Sequence, residues 1–256
     1  MNVKYKGANI HFTSAGEGNP IILLHGFMES SKIWGNFIPT LSEQRQVVCI
    51  DLPGHGESGS FNEIHSMEDM AKAVKEVLRH LEIRNAAIAG HSMGGYVCLE
   101  LYKIFPTLLT SLVLVNSTPE ADSRERKINR ERAVKLVQKN KKAFVKMAIS
   151  NLMMPENSER FRSGIQDLIA EAMKMEVQEI TAAIRGMKIR TDNVQAFARM
   201  NLPKYIVAGK DDSVLAFDRL RDVANSTGAE LLEFSGGHLS YIEDEKALLK
   251  LLHFIE

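Results

Sequence analysis

The chain has 256 residues, 45% hydrophobic and 25% charged, enough to bury a core without disulfide or metal staples. Lys plus Arg and Asp plus Glu both number 32, so no bulk charge draws the chain to nucleic acid or an anionic membrane. Cys49 and Cys98 lie in apolar segments, "MNVKYKGANIHF" has no signal-peptide core, and no run of about 18 apolar residues exists. The expectation is a soluble, cytoplasmic protein with buried thiols.

Residues 3–16 read as a hairpin turning at Gly7–Asn9. "PIILLHG" (20–26) is a continuous apolar run, as expected of a strand buried on both faces. A weak helix follows at 32–41, then a second buried strand, "QVVCIDLPG" (46–54). Residues 66–81 form an amphipathic helix, started by Ser66 with Asp69 and striped by Met67, Met70, Val74, Leu78 and Leu81. "NAAIAGH" (85–91) is a third buried strand. An apolar helix over 95–105 stops at Pro106, and 109–117 is a fourth strand. Residues 119–199 carry no strand signal and read as several helices. Two charge-rich stretches lie there, 123–132 and 138–144, with Met147, Met153, Met154, Met173, Met175 and Met187. Alternation resumes with a strand at 203–209, a helix near 214–225, a strand at 229–237 and a helix at 243–254. The pattern predicts an α/β fold: a mainly parallel sheet covered by helices on both faces, with 119–199 inserted into it.

At one junction the residue types point to chemistry. Between the third strand and its helix stands Gly90-His91-Ser92-Met93-Gly94, a G-x-S-x-G pattern. The turn would hold Ser92 in a strained conformation, with room for nothing larger than glycine on either side. The helix that follows would aim its N–H groups at the same point. A serine hydroxyl needs a base, and the base an orienting acid. Asp211 and Asp212 follow the strand at 203–209, and His238 follows the strand at 229–235, in the order this architecture uses.

With these residues in place, the chain resembles the α/β-hydrolase superfamily almost end to end. "LLHGFMESSKIW", "IDLPGHGESG", "GHSMGG", "GKDD" and "GGH" stand in the family order. The resemblance implies a sheet of roughly eight strands, a hydrolase core over 1–118 and 200–256, and a helical cap over 119–199. It implies Ser92 as nucleophile, His238 as base and then acid, and Asp212 rather than Asp211 as the orienting carboxylate. The backbone N–H groups of Phe27 and Met93 would form the oxyanion hole. No cofactor or metal is implied. The expected activity is hydrolysis of a small or medium, largely apolar acyl ester. Relatives that this chain resembles also cleave carbon–carbon bonds, eliminate pyruvate or act as perhydrolases, and the first two carry cations that grip a carboxylate, for which Arg185 and Arg190 are candidates. Others are non-catalytic small-molecule receptors.

Three further signals are read structurally. "GHGESG" (54–59) satisfies G-x-G-x-x-G, but a polar loop follows in place of a helix, so it reads as a tight loop and not a dinucleotide site. His25, His55 and His91 stand beside glycines without metal-ligand spacing, which favours loop hydrogen bonding. In 123–132, Glu125 and Glu131 alternate with Arg124, Arg126, Lys127, Arg130 and Arg132, as on a solvated helix face. The methionines of 119–199 are divided between filling the helical block and lining an acyl pocket.

Overall fold

The computed structural model describes residues 1–153, 157 and 159–255. Eight strands form one sheet: β1 (Asn2–Tyr5), β2 (Ala8–Ala15), β3 (Ile21–Leu24), β4 (Val47–Ile50), β5 (Ala86–His91), β6 (Leu109–Val115), β7 (Lys204–Gly209) and β8 (Glu230–Phe234). Their spatial order is β1-β2-β4-β3-β5-β6-β7-β8. Only β1 and β2 run antiparallel to their neighbours. The apolar runs mark the centre: every residue of β3, β4 and β5 is buried, as a parallel sheet covered on both faces requires. β2 instead alternates buried and exposed positions near the sheet edge.

Ten helices can be followed among the described residues. They are α1 (Ile38–Leu41), α2 (Met67–His80), α3 (Met93–Ile104), α4 (Arg124–Ser150), α5 (Arg162–Ala172), α6 (Val177–Lys188), α7 (Val194–Ala198), α8 (Phe217–Thr227), α9 (Ser240–Glu243) and α10 (Glu245–Phe254). None is long and apolar enough to cross a membrane. Ser66 caps α2 by accepting the Asp69 N–H at 3.0 Å. Met67, Met70, Val74 and Leu78 of its stripe are buried, and Leu81 is half-buried.

Four boundaries differ from the sequence pattern, each for a local reason. The hairpin turns at Lys6–Gly7, one residue early: both have positive φ (47° and 85°), the backbone a two-residue hairpin turn needs. The weak helix at 32–41 is a 3₁₀ turn at Ser31–Trp34 and the short α1, because Trp34 and Phe37 are both drawn fully into the core. The last helix starts at Glu245, two residues later than 243, because the Asp244 carboxylate accepts bonds from Ser235 Oγ and Gly236 N–H, both at 2.8 Å, and the short α9 precedes it. α4 kinks at Asn140 (φ −158°, ψ 84°); the Asn140 side chain accepts the Ala143 N–H at 3.0 Å and so restarts the helix.

The register decides where the site lies. Leu24 pairs with Gly90, His91 with Val115, Val115 with Val207, and Gly209 with Phe234. Five parallel strand ends therefore share one edge, and the loops leaving them carry Phe27, Ser92, Asn116, Asp212 and His238. Helices α4 to α7 lie in the connection between β6 and β7, where α4 packs on α5 and α6.

Candidate active site

Ser92 occupies the sharp turn between β5 and α3 with φ 47° and ψ −112°, a conformation that a serine adopts only when its surroundings over-determine it. Those surroundings are glycines. A Cβ on Gly94 would stand 2.7 Å from the carbonyl oxygens of Leu24 and His25, and one on Gly90 would overlap the Gly94 backbone. Ser92 is further held by its N–H on the Val115 carbonyl (2.9 Å) and by the Ser117 hydroxyl on its own carbonyl (2.7 Å).

The structure brings the three sequence-predicted side chains into one chain of hydrogen bonds. His238 Nε2 is 3.0 Å from Ser92 Oγ. His238 Nδ1 is 2.8 and 3.0 Å from the two Asp212 oxygens. Of the two candidate acids, Asp212 meets the histidine, whereas Asp211 is exposed. Burial alone would push the Asp212 carboxyl up, but His238 and the N–H groups of Val214 and Leu215 outweigh it and hold it below the usual carboxylate range. With Asp212 accepting at Nδ1, the tautomer that leaves Nε2 able to take a proton from Ser92 is favoured. The N–H groups of Phe27 and Met93 donate to no backbone carbonyl among the described residues. Met93 is the first residue of α3, where no intrahelical acceptor exists.

Sequence reasoning missed two supporting residues. Asn116 follows β6 with φ 45°; its Nδ2 donates to Asp212 Oδ2 (3.1 Å) and to the Gly237 carbonyl (3.0 Å), tying acid and histidine loops together. Its signal was an asparagine, tolerant of positive φ, at a strand end level with the others. Glu29, three residues beyond Gly26, is buried and accepts from Gly26 N–H, His91 and Tyr241.

Ser92 and His238 open on a cavity of about 700 Å³. Its floor is the strand-end loops, including Phe27 and Met28. Its walls come from α4 (Ala133, Phe144 and Ala148) and from Met187 of α6. Among the described methionines of 119–199, Met187 lines the cavity, Met153 and Met175 are buried elsewhere, Met173 is half-buried and Met147 is exposed; Met154 lies outside the described residues. The charged run departs from the expected solvated face. Arg126 and Arg130 turn inward and line the cavity, because the fully buried Asp122 carboxylate accepts from Arg130 (3.1 Å) and Arg190 (2.6 Å), with Arg126 at 3.7 Å. Neither cationic candidate lines the cavity: Arg190 stands behind Asp122 and over the Tyr96 ring, and Arg185 reaches the Glu63 carbonyl.

The remaining motifs are structural. Residues 54–59 form a tight loop in which Gly56, at φ 55°, backs onto the Asp51 carboxylate. His25 and His55 bond to loop backbone. Burial pushes the Cys49 thiol up to about 12. Among the described residues no group of three or more His, Cys, Asp or Glu could hold a metal.

The fold has close counterparts. A thermophilic esterase from Thermogutta terrifontis superposes with a TM-score of 0.92 at 24% identity, covering 98% of this chain and 96% of the other. An enol-lactonase from Burkholderia xenovorans LB400 gives 0.91 at 20% identity, with 98% of both chains covered. Likeness at these identities is likeness of fold. In sequence, the chain is 39% identical over 107 residues to the dihydrolipoyllysine-residue acetyltransferase component of the acetoin cleaving system of Pseudomonas putida. That match takes in 41% of the chain and spans only 29% of the relative's length. The model of a family described as alpha/beta hydrolase fold matches residues 19–245. A match over that span, on a sheet with this strand order and this turn, means that the chain belongs to the α/β-hydrolase fold family.

Proposed function

We propose that the protein is a cofactor-free serine hydrolase that cleaves carboxylic esters with small or medium, largely apolar acyl groups. The observation that carries this reading is the unbroken hydrogen-bond chain from Ser92 through His238 to Asp212, open to a cavity whose walls include Phe144, Ala148 and Met187. Ser92 Oγ attacks the ester carbonyl as His238 Nε2 takes its proton. The tetrahedral oxyanion is met by the N–H groups of Phe27 and Met93. The carbon–oxygen bond breaks, and the alcohol leaves with the proton from His238. A water molecule, deprotonated by His238, then releases the acid and restores the Ser92 hydroxyl. In this reading residues 1–118 and 200–256 are the catalytic core, and 119–199 is a cap that shapes the acyl site through Phe144, Ala148 and Met187.

Labelling with a fluorophosphonate tests the assignment. The adduct is expected on Ser92 and to disappear in Ser92→Ala; an adduct on another residue contradicts it. A second reading keeps the same triad but applies it to carbon–carbon cleavage or elimination on a carboxylate-bearing substrate. Arg126 and Arg130 favour it, since they bring guanidinium groups to the cavity wall. Comparing p-nitrophenyl butyrate with the p-nitrophenyl hemiester of succinate separates the two: preference for the hemiester, lost in Arg126→Ala or Arg130→Ala, supports an anionic substrate.

A further inference from the structure

Behind Ser92 lies a second buried network that the proposed mechanism does not use. His91 is 1% exposed and Glu29 4%. His91 Nδ1 is 2.9 Å from Glu29 Oε2, and His91 Nε2 is 2.9 Å from the main-chain carbonyl oxygen of His238. Both ring nitrogens thus face oxygens. A neutral imidazole has one N–H and can satisfy only one of them. A carbonyl oxygen cannot donate. Glu29 is already solvated as a carboxylate: Gly26 N–H donates to Oε2 at 2.6 Å, and the Tyr241 hydroxyl donates to Oε1 at 2.9 Å.

We propose that His91 is a standing imidazolium that acts as a positioning residue, clamping the serine turn, the histidine loop and the oxyanion loop to one another. Its own backbone precedes Ser92. Its Nε2–H holds the main chain of His238. Its Nδ1–H holds Glu29, which fixes Gly26 N–H, one residue before the proposed donor of Phe27. The fit leaves no slack: a Cβ on Gly26 would stand 2.7 Å from Glu29 Oε2 and 2.8 Å from His91 Nδ1. The groups facing His91 are the Glu29 carboxylate, the Tyr241 ring (near-perpendicular, centroids 4.9 Å apart), the His238 ring (centroids 5.2 Å apart) and, further off, Asp212 and His25. Burial would discharge the imidazole, but Glu29 and the His238 carbonyl outweigh it and raise its affinity for the proton. Burial likewise opposes the Glu29 charge, and His91 with Gly26 N–H reverses that.

This role rests on the serine-hydrolase reading, but its first test does not. Long-range ¹H–¹⁵N spectra of the intact protein should show both His91 ring nitrogens protonated well above the ordinary imidazole range. A neutral tautomer there overturns the proposal whatever the activity. In kinetics, His91→Gln should lower kcat for a p-nitrophenyl ester about 100-fold with KM nearly unchanged. Glu29→Gln should lower kcat similarly. Variants that fold, as judged by circular dichroism, and lose less than about threefold in kcat contradict it. If Ser92→Ala retains turnover, the triad reading fails, and the ring spectra still decide the state of His91.

Discussion

Single residues make the sharpest commitments. Asp212 and Asp211 are neighbours of the same charge, yet only Asp212 touches His238. Asp212→Asn should therefore lower ester kcat about 10⁴-fold by favouring the wrong tautomer, and Asp211→Asn should change it little; equal effects would contradict the assignment. Asn116→Ala should fall between them, about tenfold, since it loosens the acid without removing it. The Glu29–His91 pair also links stability to pH. Glu29 is held below the ordinary carboxylate range, so its contribution is present above that range and is lost as pH falls through its folded value. His91 is raised, so its contribution is present below the ordinary imidazole range and is lost as pH rises through its folded value. The difference in Tm between wild type and Glu29→Gln should be widest between those ranges and close on acidification. The meeting of Ser92, His238 and Asp212 was legible because each member follows a strand and sits in a motif. Glu29 and Asn116 were not, because their roles exist only where separate strand ends meet.

At the scale of elements, β5, the turn and α3 form the working unit, and glycines mark how tightly it is built. Gly94→Ala forces a Cβ against two backbone carbonyls that cannot move aside, so a loss of about 3 kcal/mol is expected by urea denaturation. Gly228, the left-handed cap after α8, has nothing near its missing Cβ; Gly228→Ala carries only backbone strain and should cost about 1 kcal/mol. Similar losses at both sites would count against the packing argument. The buried strands were legible as uninterrupted apolar runs. The breaks at Asn140 and Asp244 were not, because each depends on a side chain choosing a backbone partner over continued helix. The charged run on α4 shows the same limit: alternating signs described its exposed face, while the inward turn of Arg126 and Arg130 depends on where Asp122 is buried.

For the whole molecule, the sheet gathers the strand-end loops and the helices between β6 and β7 line the cavity beside them. The strand order brings five loops to one edge, and α4 and α6 supply walls of the cavity beside them. Met187→Ala and Phe144→Ala should enlarge the acyl site and shift preference from butyryl toward octanoyl esters; an unchanged chain-length profile would remove these walls from the acyl site. The parallel sheet was visible in strand–helix alternation, but the cavity was not, since apolar residues of α4 and α6 divide between interior and cavity without a mark in sequence. The most direct test of the account is turnover of p-nitrophenyl acetate, butyrate and octanoate by wild type and Ser92→Ala. The account predicts release of p-nitrophenol by the wild type and a loss of at least about 10⁴-fold in the variant. No turnover of any ester by folded wild-type protein, or turnover that survives the substitution, would contradict it.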